Sequence, residues 1–587
     1  MLELKDITYH LPNAVEASDT LLRDVSFRVP EGHFLAVVGP SGCGKTTLLK
    51  ILAGILIESS GEIRWRGNNL MDETELEPTD LGYVPQFSVA YEHLTVAENI
   101  NAAARLRVRS RSGFERGELL ERVLAQTGLI AHRQQRVSTL SGGQRRRLGL
   151  AIELVSDPVL LLCDEVTTGL DPQAELEIVR LLHSLSRDHG RIVINVTHSL
   201  NHIGIYDSVL AMAAGRIAFH GPPNKLSHWF SAETPEDIYL NLLSSPAEQW
   251  HASWRKHHRA YYAKLGLPAL DEGQQAAGDT ADLTVSEQSA VGRGSARADA
   301  SKLPGPASQF FTLLTRRWRL FFRDRVHLLL HLSLLIGFPF LVVIFASEGV
   351  GQMPTRLQFS QIRTSSDFLL QNRLVEEQVK TGTLISSLVL MQVVLLALMA
   401  TNNAAREIAG ERQIFEKEKL GGLRPGSYVM SKAAFLGVLV VVQSVWMGLF
   451  VHFFCRLPGD FLGQLALLGL VNAALTALCL GLSSIVKSPE QASLLGIYLA
   501  GFQLPLSGAV LRLPQSAEPF VRPFISAYWS WAGQLDTMKP SDFFIGIQAA
   551  IPSELVAGWS TCALVLGAHA AVGMWIAWIG SRRVGWE

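Results

Sequence analysis

Cysteine is scarce in this sequence, with five residues in a chain of 587. They are Cys43, Cys163, Cys455, Cys479 and Cys562, and their spacing matches neither a metal-binding motif nor a disulfide framework. We therefore expect them to be reduced and structural. The chain also lacks a charge excess of either sign, because 52 Lys and Arg residues balance 53 Asp and Glu residues. Because the chain has no excess of basic residues, we expect no nucleic-acid partner.

Long apolar runs are absent from the first half of the chain and begin only at Leu328. The N-terminus, MLELKDITYH, also lacks the charged-then-apolar pattern of a signal peptide. Over residues 1–245, short β-type runs such as HFLAVVG and RIVINVTH alternate with helical segments. This pattern predicts a cytosolic α/β domain built around a largely parallel sheet.

A polar segment separates this domain from the apolar half. Residues 246–308 are the predicted linker, and from about residue 266 they are rich in Ala, Gly, Ser and Asp with almost no aromatics, so we expect disorder there. The following stretch at 309–325, QFFTLLTRRWRLFFRDR, carries apolar residues every four positions among its arginines. It predicts a basic amphipathic helix that either lies at a membrane surface or leads into the first span.

Residues 309–587 are predicted to form an all-α membrane domain with six spans, each near the roughly 20 residues that cross a bilayer. The spans are placed at 327–346, 383–404, 431–454, 463–486, 491–511 and 559–580. The charged loop at 405–430 then lies in the cytosol, which its Arg and Lys residues favour.

The predicted spans hold no Asp, Glu, Lys or Arg near their middles, which disfavours a proton relay. Their uncharged polar residues either face a substrate cavity or hydrogen-bond to neighbouring helices. These residues are Gln392, Gln443, Asn472 and Gln503. A mostly apolar cavity would suit a lipid-like or amphipathic cargo.

The first motif with chemical meaning is GPSGCGKTT, which stands between the strand-like HFLAVV and the helical LLKILAGI. In this context backbone N–H groups wrap phosphates, Lys45 reaches the β- and γ-phosphates, and Thr46 offers its hydroxyl to Mg²⁺. The motif predicts a site for ATP and Mg²⁺. The predicted nucleotide-binding residues are Gly39, Pro40, Ser41, Gly42, Cys43, Gly44, Lys45, Thr46 and Thr47.

The second motif is VLLLCDE at 159–165, a buried strand that ends in two carboxylates. Asp164 is predicted to lie beside Mg²⁺. Glu165 is predicted to be catalytic and to polarise the attacking water.

The third motif, LSGGQ, begins a helix and so predicts another anion site at a helix N-terminus. A single nucleotide does not need two phosphate-binding glycine motifs on the same face of the domain. LSGGQ is the signature motif of the ATP-binding cassette (ABC) proteins, which this chain resembles. In that family the signature of one subunit closes on the nucleotide held by the other. The resemblance implies that Ser141, Gly142, Gly143 and Gln144 serve a partner's ATP, and a homodimer is the simplest assembly.

The remaining elements of the ABC pattern follow in the family's order. Gln86 resembles the Q-loop residue that contacts Mg²⁺ and the membrane domain, Asp171 resembles the D-loop aspartate, and His198 resembles the switch histidine that contacts the γ-phosphate. The sequence VTTGLD departs from the usual proline and serine but removes no catalytic group. Tyr9 either stacks on adenine or packs in the core.

The domain order resembles that of the G subfamily of ABC transporters and its bacterial relatives. The charged segment 406–432 contains Phe415 and Glu418 in the aromatic-x-x-E pattern of the helices that couple the domains in those relatives. The resemblance implies a homodimeric ATP-driven exporter in the cytoplasmic membrane, contacting membrane lipids and moving a hydrophobic or amphipathic small molecule outward. A polysaccharide exporter and a membrane-anchored ATPase with a mechanical or regulatory role are the alternatives.

Overall fold

The computed structural model describes residues 1–11, 20–69, 76–86, 90–109, 112–268, 270, 303–346, 368–507, 514, 516–541, 544, 547–548 and 556–583. The predicted disorder from about residue 266 falls almost entirely outside these residues. The chain forms two compact units. The first comprises mainly Met1–Thr312 and Gln413–Leu423, and the second comprises Leu313–Arg412 and Arg424–Gly585.

In the described residues of the first unit, ten strands form two sheets. They are β1 (Leu2–His10), β2 (Thr20–Val29), β3 (Phe34–Val38), β4 (Ser60–Trp65), β5 (Asn68–Asn69), β6 (Leu81–Val84), β7 (Leu160–Asp164), β8 (Ile192–Val196), β9 (Ser208–Ala213) and β10 (Arg216–Gly221). One sheet has the order β2-β1-β4-β5 and is antiparallel, and the other has the order β10-β9-β3-β8-β7-β6.

The larger sheet is parallel except at its β9–β10 edge. Its central strands β3, β7 and β8 read FLAVV, LLLCD and IVINV, and all of their residues are buried. Continuous apolar runs of this kind are typical of parallel strands covered on both faces. Because the strands run in the same direction, the predicted phosphate loop, the Asp164–Glu165 pair and His198 all follow the same edge of the sheet.

Eight α-helices accompany these sheets in the part of the chain before residue 270 that the structure describes. They are α1 (Lys45–Leu52), α2 (Val96–Arg107), α3 (Gly113–Thr127), α4 (Gly142–Leu154), α5 (Pro172–Arg187), α6 (Leu226–Trp229), α7 (Pro235–Ser244) and α8 (Ala247–Lys264). The helix α4 begins at the LSGGQ motif, where Ser141 and Gln144 form a capping box. The predicted α/β nucleotide-binding architecture is therefore confirmed.

Helix α8 packs against β10 through a cluster of aromatic side chains. Trp254 is 1% exposed and Tyr262 is fully buried. The Tyr262 hydroxyl lies 3.1 Å from His220 Nδ1 on β10, and burial lowers the pKa of His220 to about 3. The folded first unit thus extends past residue 245, where the sequence analysis placed the domain boundary.

The second unit is helical in the described residues. The helices after residue 305 belong to it, except that α9 begins in the first unit and α12 lies mostly there. These helices are α9 (Pro306–Arg323), α10 (Arg325–Ala346), α11 (Phe368–Ala404), α12 (Arg412–Leu420), α13 (Pro425–Cys455), α14 (Phe461–Ile485), α15 (Pro489–Leu506), α16 (Glu518–Val521), α17 (Ser526–Asp536) and α18 (Trp559–Arg582). The predicted amphipathic helix at 309–325 corresponds to α9.

Five helical stretches of the described chain are long and apolar enough to cross a membrane. They are Arg325–Ala346, Val375–Leu420, Pro425–Cys455, Phe461–Ile485 and Trp559–Arg582. Each contains one of the predicted spans to within a residue. The span predicted at 491–511 overlaps α15 at residues 491–506, but α15 is not among the five, and residues 508–511 lie outside the described chain. That span stays a prediction.

The polar side chains of the predicted spans lie inside the second unit. Asn403 Nδ2 donates to Gln443 Oε1 at 2.8 Å, and Asn472 Nδ2 donates to Ser444 Oγ at 3.1 Å. Gln503 Oε1 accepts from the backbone N–H of Ala527 at 3.0 Å. These groups therefore join helices to one another, as amides do within membrane bundles.

Gln392 is the exception among the predicted polar residues. Its side chain is 2% exposed. Among the described residues, its Nε2 has no hydrogen-bond partner.

A buried ion cluster fixes the segment 413–423 to the helices of the first unit. Arg107 donates to Glu153 Oε2 at 2.7 Å, and Lys417 Nζ pairs with Glu153 Oε1 at 2.9 Å. All three side chains are less than 5% exposed. Burial alone would raise the pKa of Glu153, but Arg107 and Lys417 outweigh it and hold the pKa below its usual value.

The turn after α12, which contains Gly421 and Gly422, packs closely against the Arg107 side chain of this cluster. Gln309 Nε2 donates to the carbonyls of Leu106 and Gly422 at 3.2 and 3.1 Å. A Cβ atom on Gly421 would lie 2.3 Å from Arg107 Nε, so a larger residue would collide with the guanidinium. Segment 413–423 is therefore an integral part of the first unit.

Replacing Glu153 by Gln tests this cluster, because the change leaves two buried cations with a neutral partner. Breaking a buried ion pair costs roughly 3–5 kcal/mol, so we expect a clear drop in the thermal unfolding midpoint of the full-length protein. Glu121→Gln is the control, since Glu121 pairs with Arg133 on the surface and exposed pairs contribute at most about 1 kcal/mol. Equal melting behaviour of the two variants would contradict this role of Glu153.

Candidate functional site

The loop between β3 and α1 has the shape of a phosphate cradle. Gly39 and Gly44 have φ of +150° and +99°, which side chains rarely adopt. A Cβ atom on Gly39 would lie 2.4 Å from the Met212 carbonyl, and one on Gly44 would lie 2.9 Å from the Leu21 carbonyl. The loop can therefore keep this path only with glycine at both positions, and it leads directly into the N-terminus of α1.

Lys45 lies inside this loop. Its Nζ donates to the carbonyls of Gly39 and Pro40, both at 2.9 Å, and the side chain is 4% exposed. The Lys45 ammonium group is thus held at the loop by two neutral carbonyl acceptors. Phosphate oxygens are stronger acceptors for a cationic donor, so the loop fits the triphosphate of ATP.

Thr46 and Asp164 form an oxygen pair beside the loop. Thr46 Oγ1 donates to Asp164 Oδ1 at 3.1 Å, and Tyr83 OH donates to Asp164 Oδ2 at 3.4 Å. Burial and the nearby charge of Glu165 raise the pKa of Asp164, against the hydrogen bonds from Thr46 and Tyr83. A nearby cation would therefore stabilise the ionised form of this buried carboxylate.

The donor set fits Mg²⁺, which takes oxygen ligands and is often held by one or two protein groups together with substrate phosphates. Thr46 and Asp164 supply a hydroxyl and a carboxylate. The described residues contain no cluster of three or more His, Cys, Asp or Glu side chains arranged to hold a metal alone. A cation here would therefore need the nucleotide's own oxygens.

Glu165 is held on both sides. Gln86 Nε2 donates to Glu165 Oε2 at 2.8 Å, and His198 Nε2 lies 2.6 Å from Glu165 Oε1. The backbone of Glu165 is left-handed, with φ of +50°, a strained conformation that is common at active sites. The carboxylate is thus fixed next to Asp164, with an amide and an imidazole as its partners.

The predicted site residues form two groups. Lys45, Thr46, Gln86, Asp164 and Glu165 gather with His198 at the end of the parallel sheet. The signature residues form the other group, together with the D-loop segment.

In this second group, Ser141 and Gly142 are exposed. A Cβ atom on Gly142 would lie 3.7 Å from Leu170 Cδ2, and Asp171 caps α5 by accepting from the Ala174 N–H at 2.9 Å. In the described chain, no hydrogen bond or ion pair joins Ser141 to the phosphate loop.

Three contacts at the site were not predicted from the sequence. They are the hydrogen bonds from Tyr83 to Asp164, from Thr168 Oγ1 to Glu165 Oε2 at 3.4 Å, and from Tyr239 to the backbone of His198. Tyr239 lies 41 positions beyond His198, and no motif marks it. Tyr9 is 7% exposed and packs within the core of the first unit.

Comparison with known proteins agrees with this geometry. Residues 22–168 match the family model for the ABC transporter domain, and residues 308–531 match the model for the ABC-2 type transporter. The chain is 30% identical over 556 residues to the ABC transporter ATP-binding/permease protein Rv1747 of Mycobacterium tuberculosis, covering 92% of this chain and 57% of that protein. It thus spans little more than half the length of this relative.

Two further similarities concern the first unit. The maltose/maltodextrin import ATP-binding protein MalK of Escherichia coli is 34% identical over 229 residues, which is 38% of this chain and 59% of that protein. A dimeric, post-hydrolysis structure of the ATP-binding cassette MJ0796 bound to ADP and Pi is 26% identical and covers 38% of this chain and 99% of that one, with a TM-score of 0.34.

The two family matches define the class of protein. The chain is an ABC transporter protein in which an N-terminal ABC ATPase domain precedes an ABC-2 type membrane domain. Several apolar helices make it a multi-pass membrane protein.

Replacing Asp164 by Asn tests the cation site. We expect Mg²⁺-dependent binding of a fluorescent ATP analogue to weaken by about 10- to 100-fold, because the buried carboxylate is lost, while the weak binding without Mg²⁺ stays the same. The control is Tyr83→Phe, which removes a long hydrogen bond to the same carboxylate and should change Mg²⁺ dependence by less than about threefold. Unchanged Mg²⁺ dependence in Asp164→Asn would contradict the assignment.

Proposed function

We propose that this chain works as a homodimeric, ATP-driven exporter in the cytoplasmic (inner) membrane. Its cargo is a lipid-like or other hydrophobic or amphipathic small molecule. The observation that carries the proposal is the position of Glu165, fixed by Gln86 and His198 beside the phosphate loop in a chain that continues into an ABC-2 type membrane domain.

Hydrolysis follows from the roles these side chains can take. Lys45 and the loop amides bind and orient the phosphates, and Thr46 and Asp164 would hold Mg²⁺. A bound Mg²⁺ would offset the negative charge of the phosphates. Glu165 orients the attacking water, and His198 holds the carboxylate and contacts the γ-phosphate.

The two glycine motifs support a homodimer. Each chain has a loop that contains Lys45 and an exposed signature at Ser141, and no hydrogen bond joins the two within the described residues. In a symmetric dimer, Ser141 of one chain closes on the nucleotide at Lys45 of the other, so two sites form together.

Helix α4 offers a physical route from ATP to the membrane domain. It begins at the signature residue Ser141 and carries the buried Glu153 near its other end. Its 13 residues span roughly 20 Å as one rigid element. Since Glu153 pairs with Lys417, displacement of the signature on dimer closure would also move segment 413–423, which continues into the membrane helices.

The apolar character of the spans supports the cargo class. Charged residues are absent from the middles of the predicted spans, and three of their four polar side chains are hydrogen-bonded to neighbouring helices. A polysaccharide path would need a wide, polar channel. A membrane-anchored ATPase with a mechanical or regulatory role would share the whole hydrolytic site, so only transport distinguishes it.

Replacing Glu165 by Gln should nearly abolish ATP turnover in lipid nanodiscs, by about 10²–10³-fold, while ATP binding is retained. The change keeps the side chain's size but removes the negative charge that orients water. Glu118→Gln on α3 is the matched control, because Glu118 is exposed and far along the chain from every site motif. A Glu165→Gln variant that turns over ATP at the native rate would contradict the role of Glu165.

The same nanodiscs test the cargo class. Lipid extract from the host, or a panel of amphipathic drugs, should raise the ATPase rate of the native protein and not that of Glu165→Gln. A native rate that is robust yet indifferent to both would contradict the proposed cargo and favour the polysaccharide or mechanical alternatives.

Mixed dimers test the arrangement across chains. A Lys45→Ala chain paired with a Ser141→Arg chain should retain ATPase activity, because one composite site escapes both changes. A chain with both changes paired with a native chain should be inactive, because each composite site then contains one defect. The reverse result would show that both motifs serve the same chain's ATP and would overturn the dimer.

A further inference from the structure

Tyr239 lies outside every recognised motif, yet it contacts the loop of the nucleotide site that carries His198. Its hydroxyl donates to the backbone carbonyl of His198 at 3.0 Å. Burial raises the pKa of Tyr239, so the phenol keeps its proton and remains a donor at physiological pH.

The loop that Tyr239 contacts begins at the end of a strand. His198 follows β8 after Thr197, and β8 pairs in parallel with β3. Thr197 still makes a backbone hydrogen bond to Val37 at 3.1 Å, but the chain then leaves the sheet. The sheet therefore stops restraining the backbone one residue before His198, and the Tyr239 hydroxyl supplies a restraint there.

Helix α7 holds Tyr239 independently of the site. Ile238 and Leu242, on either side of it, are 3% and 1% exposed. Thr234 and Asp237 form a capping box at the start of the helix, and Asn241 Nδ2 donates to the Phe230 carbonyl at 2.9 Å. A hydroxyl on such a fixed element can act as an anchor for a less restrained loop.

A continuous chain of polar contacts results. Gln86 contacts Glu165, Glu165 contacts the His198 imidazole, and the His198 carbonyl contacts Tyr239. The group proposed to orient water is thereby linked, through His198, to a tyrosine that lies outside the recognised motifs.

We propose that Tyr239 is a positioning residue for ATP hydrolysis, which restrains the backbone of His198 and so keeps its imidazole at Glu165. This inference rests on the proposed ATPase function. ATP binding depends mainly on the phosphate loop and Lys45, which the sheet and the glycine turns already hold. Loss of the hydroxyl should therefore reduce kcat more than it raises KM.

The test compares two tyrosines of the same unit in the full-length protein. Tyr239→Phe removes the anchoring hydroxyl and should lower kcat by about five- to tenfold, the usual effect of one hydrogen bond, with KM for ATP within about twofold. Tyr262→Phe is the matched control, because it removes a buried tyrosine hydroxyl bonded to His220, away from the site. It should leave both constants unchanged.

A double variant separates positioning from a general loss of packing. If Tyr239 acts through His198, adding Tyr239→Phe to His198→Ala should change kcat by less than about twofold, because the residue to be positioned is already missing. A full five- to tenfold loss in that background would overturn the inference. Equal kcat values for Tyr239→Phe and Tyr262→Phe would overturn it as well.

The native protein separates this inference from the proposed function. If native protein lacks ATPase activity above Glu165→Gln, the proposed hydrolysis fails, and the inference fails with it. If native protein is active and Tyr239→Phe matches it, hydrolysis stands and only the role of Tyr239 is wrong.

Discussion

The hydrogen-bonded position of the Glu165 carboxylate is the constraint on which the account depends. Its two oxygens are held by Gln86 and His198, which follow the strands on either side of β7. These strands can run side by side only because their sequences are apolar enough to be buried on both faces. The packing of the sheet core thus sets the geometry of the water-orienting group, and the strained backbone at Glu165 is held by that packing.

A second constraint acts at the C-terminal end of helix α4, opposite the end that carries the signature motif. A buried carboxylate needs compensating charge, and Glu153 obtains it from Arg107 of its own domain and from Lys417 of a segment that interrupts the membrane domain in sequence. One helix therefore carries both the signature that would meet a partner's nucleotide and the ion cluster that holds segment 413–423. This arrangement gives the proposed coupling a covalent and electrostatic path within a single unit.

Much of the fold and of the nucleotide site could be predicted from the sequence, because motifs such as GPSGCGKT and VLLLCDE specify their own strand–loop context. The position of Tyr239 could not, since it depends on how α7 packs and on a backbone carbonyl that any residue at 198 would offer. The pairing of Glu153 with Lys417 could not be predicted either, because 264 positions separate the two residues. The spans were predictable from length and hydropathy, whereas α15, with its Pro and Glu start, carries a weaker signal.

Vectorial transport in sealed proteoliposomes tests the central claim most directly. The measurement follows ATP-dependent movement of fluorescent phospholipid analogues between leaflets, for native protein and Glu165→Gln reconstituted at equal density. The account predicts movement away from the leaflet that faces the nucleotide-binding domain with native protein and ATP, and none with Glu165→Gln. Vigorous ATP hydrolysis by the native protein without movement of any lipid or amphipathic probe would contradict the claim that this chain exports such molecules.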